Sequence, residues 1–154
     1  MPMPGRRRIV LLTLATAAVL RPDRPLVAFK RVIGLRGVTI EIHDNRVLID
    51  GRRISVKALP QRDFAWVPES HSMGSTVYDE DGHWAAFTPG VGQYQDLTAV
   101  RLKNDEYFLL GDNRDISLDC RAWGPLKENA LFGKVIFALP TGPRKKCLVR
   151  GICG

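Results

Sequence analysis

Apolar residues in this chain come in short runs broken by turn formers. Residues 26–34 (LVAFKRVIG) are rich in β-branched and aromatic side chains and read as a strand. In residues 38–51, Val38, Ile40 and Ile42 alternate with polar partners, and Val47 and Ile49 follow. That pattern predicts two strands around a tight turn at Asp44 and Asn45. Asp50 and Gly51 predict a second turn before residues 54–56 (ISV). Residues 97–102 and 106–110 flank Asn104 and Asp105 and predict a hairpin, and residues 131–139 predict a final strand. Residues 59–95 have weak periodicity and many turn formers, with one short candidate strand at HWAAF (83–87). They read as a long, partly structured excursion. The expected fold is mostly β, built from antiparallel sheets.

The N-terminus breaks this pattern. Arg6, Arg7 and Arg8 precede IVLLTLATAAVL (9–20), and RPDRP (21–25) ends the run. The apolar run falls short of the about twenty residues that a transmembrane helix needs. It matches a signal-peptide core, with Ala15, Thr16 and Ala17 as a small-x-small site. The alternatives are an anchor remnant, a strand or helix of the domain itself, and a misread start. The expected organisation is a basic and apolar segment (1–24), a β domain (25–140) and a basic tail (141–154).

With 154 residues, 45% hydrophobic and 25% charged, the chain can bury the core of one domain. Net charge is +7, with a second basic cluster at Arg144, Lys145, Lys146 and Arg150. This reads either as attraction to an anionic membrane surface or as two solvated tails. Aromatics are not interleaved with these clusters as single-strand stacking requires, so no nucleic-acid partner is expected. Cys120, Cys147 and Cys153 are too few, and odd in number, for a disulfide framework. A pairing of Cys147 with Cys153 stays open. No cysteines have zinc-ligand spacing and His43, His71 and His83 are spread apart, so no metal or other cofactor is expected.

Two segments carry candidate chemistry. Alternation puts Lys30 on one face with Leu26, Ala28 and Val32. A charged lysine there is costly, burial lowers its pKa, and a near-neutral lysine can act as a general base. The other reading is an edge strand whose lysine points to water. The second segment is GDNRDISLDCRAWGPL (111–126), which follows YFLL and is dense in groups that hydrogen-bond one another. Ser117 is a candidate to orient a neutral lysine. Asp119 and Arg121, two apart in an extended chain, share a face and can pair. Trp123 is placed to pack over the loop. On this reading the polar groups form a rigid wall that positions Lys30.

Together the two segments resemble the type I signal peptidases. FKRVIGLRG (29–37) is similar to that family's lysine box, KR-x-x-G-L-P-G-D. GDNRDISLDCR (111–121) is similar to its last box, GDNR-x-x-S-x-DSR. The resemblance covers about residues 26–139. It implies a membrane-anchored serine endopeptidase of antiparallel sheets or a partly open barrel. Such an enzyme removes signal peptides from preproteins on the extracytoplasmic side, using a Ser–Lys dyad. It implies Lys30 as general base, Ser117 as the serine orienting it, and Asp119 with Arg121 as a structural ion pair. Arg31, Asp112, Asn113 and Arg114 fall in the same boxes as supporting residues. Cys120 stands where the family has serine, and Arg36 and Val38 replace Pro and Asp of the lysine box. The family's nucleophile box, S-M-x-P-T, belongs before the lysine, and no serine precedes Lys30. SMGSTV (72–77) looks like that box, but it follows the lysine and lacks the proline, which makes Ser72 a decoy. The resemblance therefore implies a start that was lost or misread, or else a non-catalytic relative that binds peptides or a membrane partner.

Overall fold

The computed structural model describes residues 15–19, 27–60, 76–88, 92 and 94–135. Ser72, Cys147, Cys153, both basic clusters and residues 136–139 of the expected last strand lie outside the described residues.

Among the described residues twelve strands dominate: β1 (Ala15–Val19), β2 (Val27–Gly34), β3 (Thr39–His43), β4 (Arg46–Ile49), β5 (Arg52–Arg53), β6 (Val56–Ala58), β7 (Thr76–Glu80), β8 (His83–Phe87), β9 (Leu97–Arg101), β10 (Glu106–Leu110), β11 (Leu126–Lys127) and β12 (Leu131–Lys134). The only helical elements among the described residues are α1 (Cys120–Trp123) and a 3-10 turn at Glu128–Ala130. The described strands form three sheets, ordered β11-β10-β2-β1-β12, β5-β4-β3-β9 and β6-β7-β8, and close no barrel among themselves.

The β3–β4 hairpin forms as the alternation predicts, with Ile40 opposite Ile49 and Ile42 opposite Val47. Its turn puts Asp44 at φ 47° and Asn45 at φ 60°. Two positive angles in succession match the twist of the flanking strands, and Asn and Asp tolerate them best. Ile40, Ile42, Val47 and Ile49 are buried and meet Val32, Ile33, Leu102 and Phe108 to Leu110 in one core. Phe108, Leu109 and Leu110 are buried in succession, because a register shift between Phe108 and Leu109 interrupts alternation against β2. At the end of β2 the two larger sheets come close. A Cβ on Gly34 would meet Ile40 at 2.8 Å and Leu102 at 2.9 Å, so an added methyl would force these core side chains to shift.

Two expectations change. Residues 97–102 and 106–110 are strands but not a hairpin, since β9 pairs with β3 and β10 pairs with β2 and β11. The short connection instead carries the chain from one sheet to the other. The Glu106 carboxylate accepts the Lys103 N–H at 2.9 Å to fix that corner. The strand expected at residues 54–56 begins at Val56, after the short β5. In the N-terminal apolar run, Ala15–Val19 forms a strand between β2 and β12, with Thr16 opposite Lys30.

Candidate functional site

Strand β2 carries Lys30 near the centre of the five-stranded sheet, with β10 on one side and β1 on the other. The chain leaves β10 at Gly111 and loops back through Ser117 into α1. Lys30 Nζ donates to Ser117 Oγ at 2.7 Å, although the two residues are 87 apart in sequence. Lys30 is half-buried, so it is neither the water-facing edge lysine nor a core residue. Partial desolvation pushes its pKa below the ordinary lysine value of 10.5. Asp119 opposes that change and Arg121 reinforces it.

The wall around this pair is built from three charged contacts. Arg31, the next residue of β2, grips Asp112 with Nε and Nη2, each 2.8 Å from a carboxylate oxygen. Asp119 is fully buried and caps α1, accepting the Arg121 N–H at 3.2 Å. It also accepts Arg121 Nε and Nη2, both at 2.9 Å, and the Gly111 N–H at 3.0 Å. Burial would raise the Asp119 pKa, but the Arg121 hydrogen bond and the Gly111 N–H outweigh it and hold the carboxyl low. This pairing comes through a helix cap rather than the extended chain that the spacing suggested. Arg114, also buried, meets the fully buried Glu80 of β7, with Nη1 3.0 Å from Oε1 and Nη2 in contact with Oε2.

Gly111 is the hinge of this arrangement. A Cβ there would sit 2.0 Å from Ser117 Oγ and 3.3 Å from Lys30 Nζ. Cys120 turns its thiol inward, where the Leu109 N–H points at the sulfur at 3.2 Å. Burial pushes that thiol up to about 12, so it stays protonated and inert. Asn113 lies beside β8 through a parallel bridge to Ala86, and Trp123 is half-buried at the end of α1.

Sequence reasoning missed four residues of this network. Asn45 looked like a turn residue, yet its Nδ2 donates to Asp115 at 2.8 Å and its Oδ1 accepts from Arg121 at 3.3 Å. Asp115 lies in the polar stretch and had no role assigned. Glu80 and His83 lay in the excursion, and His83 Nε2 stands 3.1 Å from Glu80 Oε2. The positive φ demanded at Asn45 was legible, but the reach of its side chain was not.

Lys30 thus rests, half-buried, on a serine hydroxyl, walled by ion pairs in an antiparallel β scaffold. A family model described as signal peptidase, peptidase S26, matches residues 4–139. The chain belongs to that family. It is 31% identical over 115 residues to signal peptidase I V of Bacillus subtilis (strain 168), covering 74% of this chain and 58% of that protein. It is 28% identical over 113 residues to signal peptidase IB of Staphylococcus aureus (strain Mu50 / ATCC 700699), covering 70% of this chain and 50% of that one. The chain thus spans about half the length of these relatives. A crystal structure of a signal peptidase I from Enterococcus faecalis V583 aligns with 88% of this chain and 98% of its own, at 25% identity and a TM-score of 0.46.

Proposed function

We propose that residues 25–140 form the β domain of a signal-peptide endopeptidase in which Lys30 is the general base and Ser117 orients it. The observation that carries this is the 2.7 Å contact of a half-buried lysine with a serine hydroxyl. Partial burial lowers the Lys30 pKa and so favours the neutral amine that a general base needs. The hydroxyl of a nucleophilic serine presented at Lys30 Nζ would lose its proton to the amine as its oxygen bonds to the scissile carbonyl carbon. The lysine then returns that proton to the departing amine as the C–N bond breaks. Water, deprotonated in turn by Lys30, adds to the ester carbonyl carbon, and the lysine passes that proton to the serine oxygen as the ester C–O bond breaks, which restores the free enzyme. Ser117 is held by Lys30 and by the crowded Gly111, so its role is to aim the amine rather than to attack. None of Ser55, Ser70, Ser72, Ser75 and Ser117 precedes Lys30, and this reading assigns none of them the attack.

The substrate class proposed is an exported preprotein with small residues at the cleavage site, met at a membrane surface on the extracytoplasmic side. Phe29 beside Lys30, and Ile116 and Leu118 on either side of Ser117, are exposed large hydrophobics. Such side chains suit an apolar peptide or a lipid interface. No helix among the described residues is long and apolar enough to cross a membrane.

The test is cleavage of a preprotein with an Ala-x-Ala site by this chain fused behind a segment bearing the family's S-M-x-P-T box, which supplies the attacking serine, compared with Lys30→Met and Ser117→Ala in the same fusion. Loss of the base should cost about a hundredfold or more in rate. Ser117→Ala should slow cleavage while leaving the β circular-dichroism spectrum intact. Cleavage by the Lys30→Met fusion at the rate of the unsubstituted fusion, or no cleavage by the unsubstituted fusion, overturns the reading.

A further inference from the structure

The turn that carries Asp112 to Arg114 is gripped by a segment to which the proposed chemistry gives no task, the β7–β8 hairpin. The Ala86 N–H donates to the Asp112 carbonyl at 2.7 Å, and the Arg114 N–H donates to the Ala86 carbonyl at 2.8 Å. Below these bonds Glu80, at the end of β7, engages the Arg114 guanidinium with both carboxylate oxygens. His83 Nε2 approaches the same carboxylate from the start of β8. The remaining guanidinium donor, Arg114 Nε, reaches the Gly111 carbonyl at 3.2 Å. The Gly111 peptide groups are therefore held on both sides, the N–H by Asp119 and the carbonyl by Arg114. Gly111 is also the residue against which Ser117 Oγ rests.

Stability alone does not account for this device. A buried ion pair is often no more stabilising than apolar side chains of the same volume, because both charges lose their water. What the fork of a guanidinium on a carboxylate supplies is direction. With Nη1 and Nη2 committed to Glu80, the guanidinium plane is set, and Nε can point only along the line to the Gly111 carbonyl. We propose that Glu80 is a positioning residue for the Lys30–Ser117 pair. It acts through Arg114 and Gly111, and it gives the hairpin of residues 76–88 a task in the site. The proposal rests on the reading of Lys30 as base and assigns that base a remote support.

The experiment follows the Lys30 amine itself in the full chain. Labelling of Lys30 by an amine reagent, located by mass spectrometry, is measured across pH for the wild type and for Glu80→Gln. Circular dichroism and thermal melting are recorded in parallel. In the wild type the labelling midpoint of Lys30 should lie below those of the exposed lysines Lys57 and Lys103. In Glu80→Gln the fold should persist while the Lys30 midpoint moves up toward theirs, lowering its labelling rate at pH 8 about threefold or more, the equivalent of half a pH unit. If Glu80→Gln fails to fold, Arg114→Lys replaces it, since it keeps a cation on Glu80 but has no Nε aimed at Gly111. A folded variant whose melting temperature falls while the Lys30 midpoint stays put overturns the positioning role and leaves the base assignment standing. A wild-type Lys30 that labels like Lys57 overturns the base assignment, and the positioning role with it.

Discussion

Gly111 and Ser117 compete for one space: a Cβ on Gly111 would stand 2.0 Å from Ser117 Oγ and 2.4 Å from its Cβ. The serine takes its rotamer from that vacancy, and Lys30 takes its direction from the serine. In Gly111→Ala the added methyl must displace Ser117 or the strand end. The expected cost is about 1–3 kcal/mol, typical of overpacking. The 2.7 Å contact of Lys30 with Ser117 should be lost with it. Urea unfolding reads the first effect and the Lys30 labelling midpoint reads the second. An unchanged midpoint in the alanine variant would mean that the serine does not steer the lysine.

The Asp119–Arg121 pair should prove the costliest ion pair to break. Both residues are buried, and Arg121 also donates to the Tyr94 carbonyl at 3.1 Å and to Asn45 at 3.3 Å. Arg121→Met leaves a buried carboxylate with only its backbone donors, and a broken buried pair costs about 3–5 kcal/mol. Denaturant unfolding at pH 7 should show a loss of that size. A loss within about 1 kcal/mol, the size typical of exposed pairs, would place the pair in water instead.

Where chemistry and geometry coincide locally, the residues announce themselves. Lys30 interrupts an apolar strand, and residues 111–121 crowd polar groups where a strand ends, so both were legible before any fold was known. The β3–β4 hairpin was legible because its alternation and its two-residue turn agree. Partners across the chain were not. Alternation in residues 97–102 and 106–110 marks strands but does not say which strands they join, and they join different sheets. Glu80 sits between Asp79 and Asp81 and reads as one of a run of solvated acids. Its burial follows only from the arrival of Arg114, 34 residues further on. Asn45 was visible as a turn former because φ is a local demand, while its bond to Asp115 spans 70 residues.

Cys120 stands where the family's last box has serine, and its surroundings say what to expect of it. Burial raises the thiol to about 12, far above neutral pH. The thiolate, not the thiol, reacts with alkylating reagents. Native protein should therefore leave Cys120 unmodified by iodoacetamide at pH 8, and unfolding in urea should expose it. Mass spectrometry of the peptide containing Cys120 decides between the two. Rapid alkylation in the native state would mean that α1 does not cover the sulfur as described.

Acid should loosen the hairpin's grip before it affects the rest of the core. Burial alone would raise the Glu80 pKa, but the His83 hydrogen bond and the Arg114 guanidinium bring it from 4.5 down to about 2. A carboxylate whose folded-state pKa is depressed binds fewer protons folded than unfolded. Its contribution is thus fully present above pH 4.5 and is lost as pH falls toward 2. Asp119, also held below its ordinary value of 3.8, adds loss in the same direction. Urea midpoints measured at steps from pH 6 to pH 2 should fall steeply for the wild type through this window. Glu80→Gln has no proton to take up at this position, so its curve should start lower and run flatter. Parallel curves for the two proteins would show that Glu80 is not held ionised by Arg114 in solution.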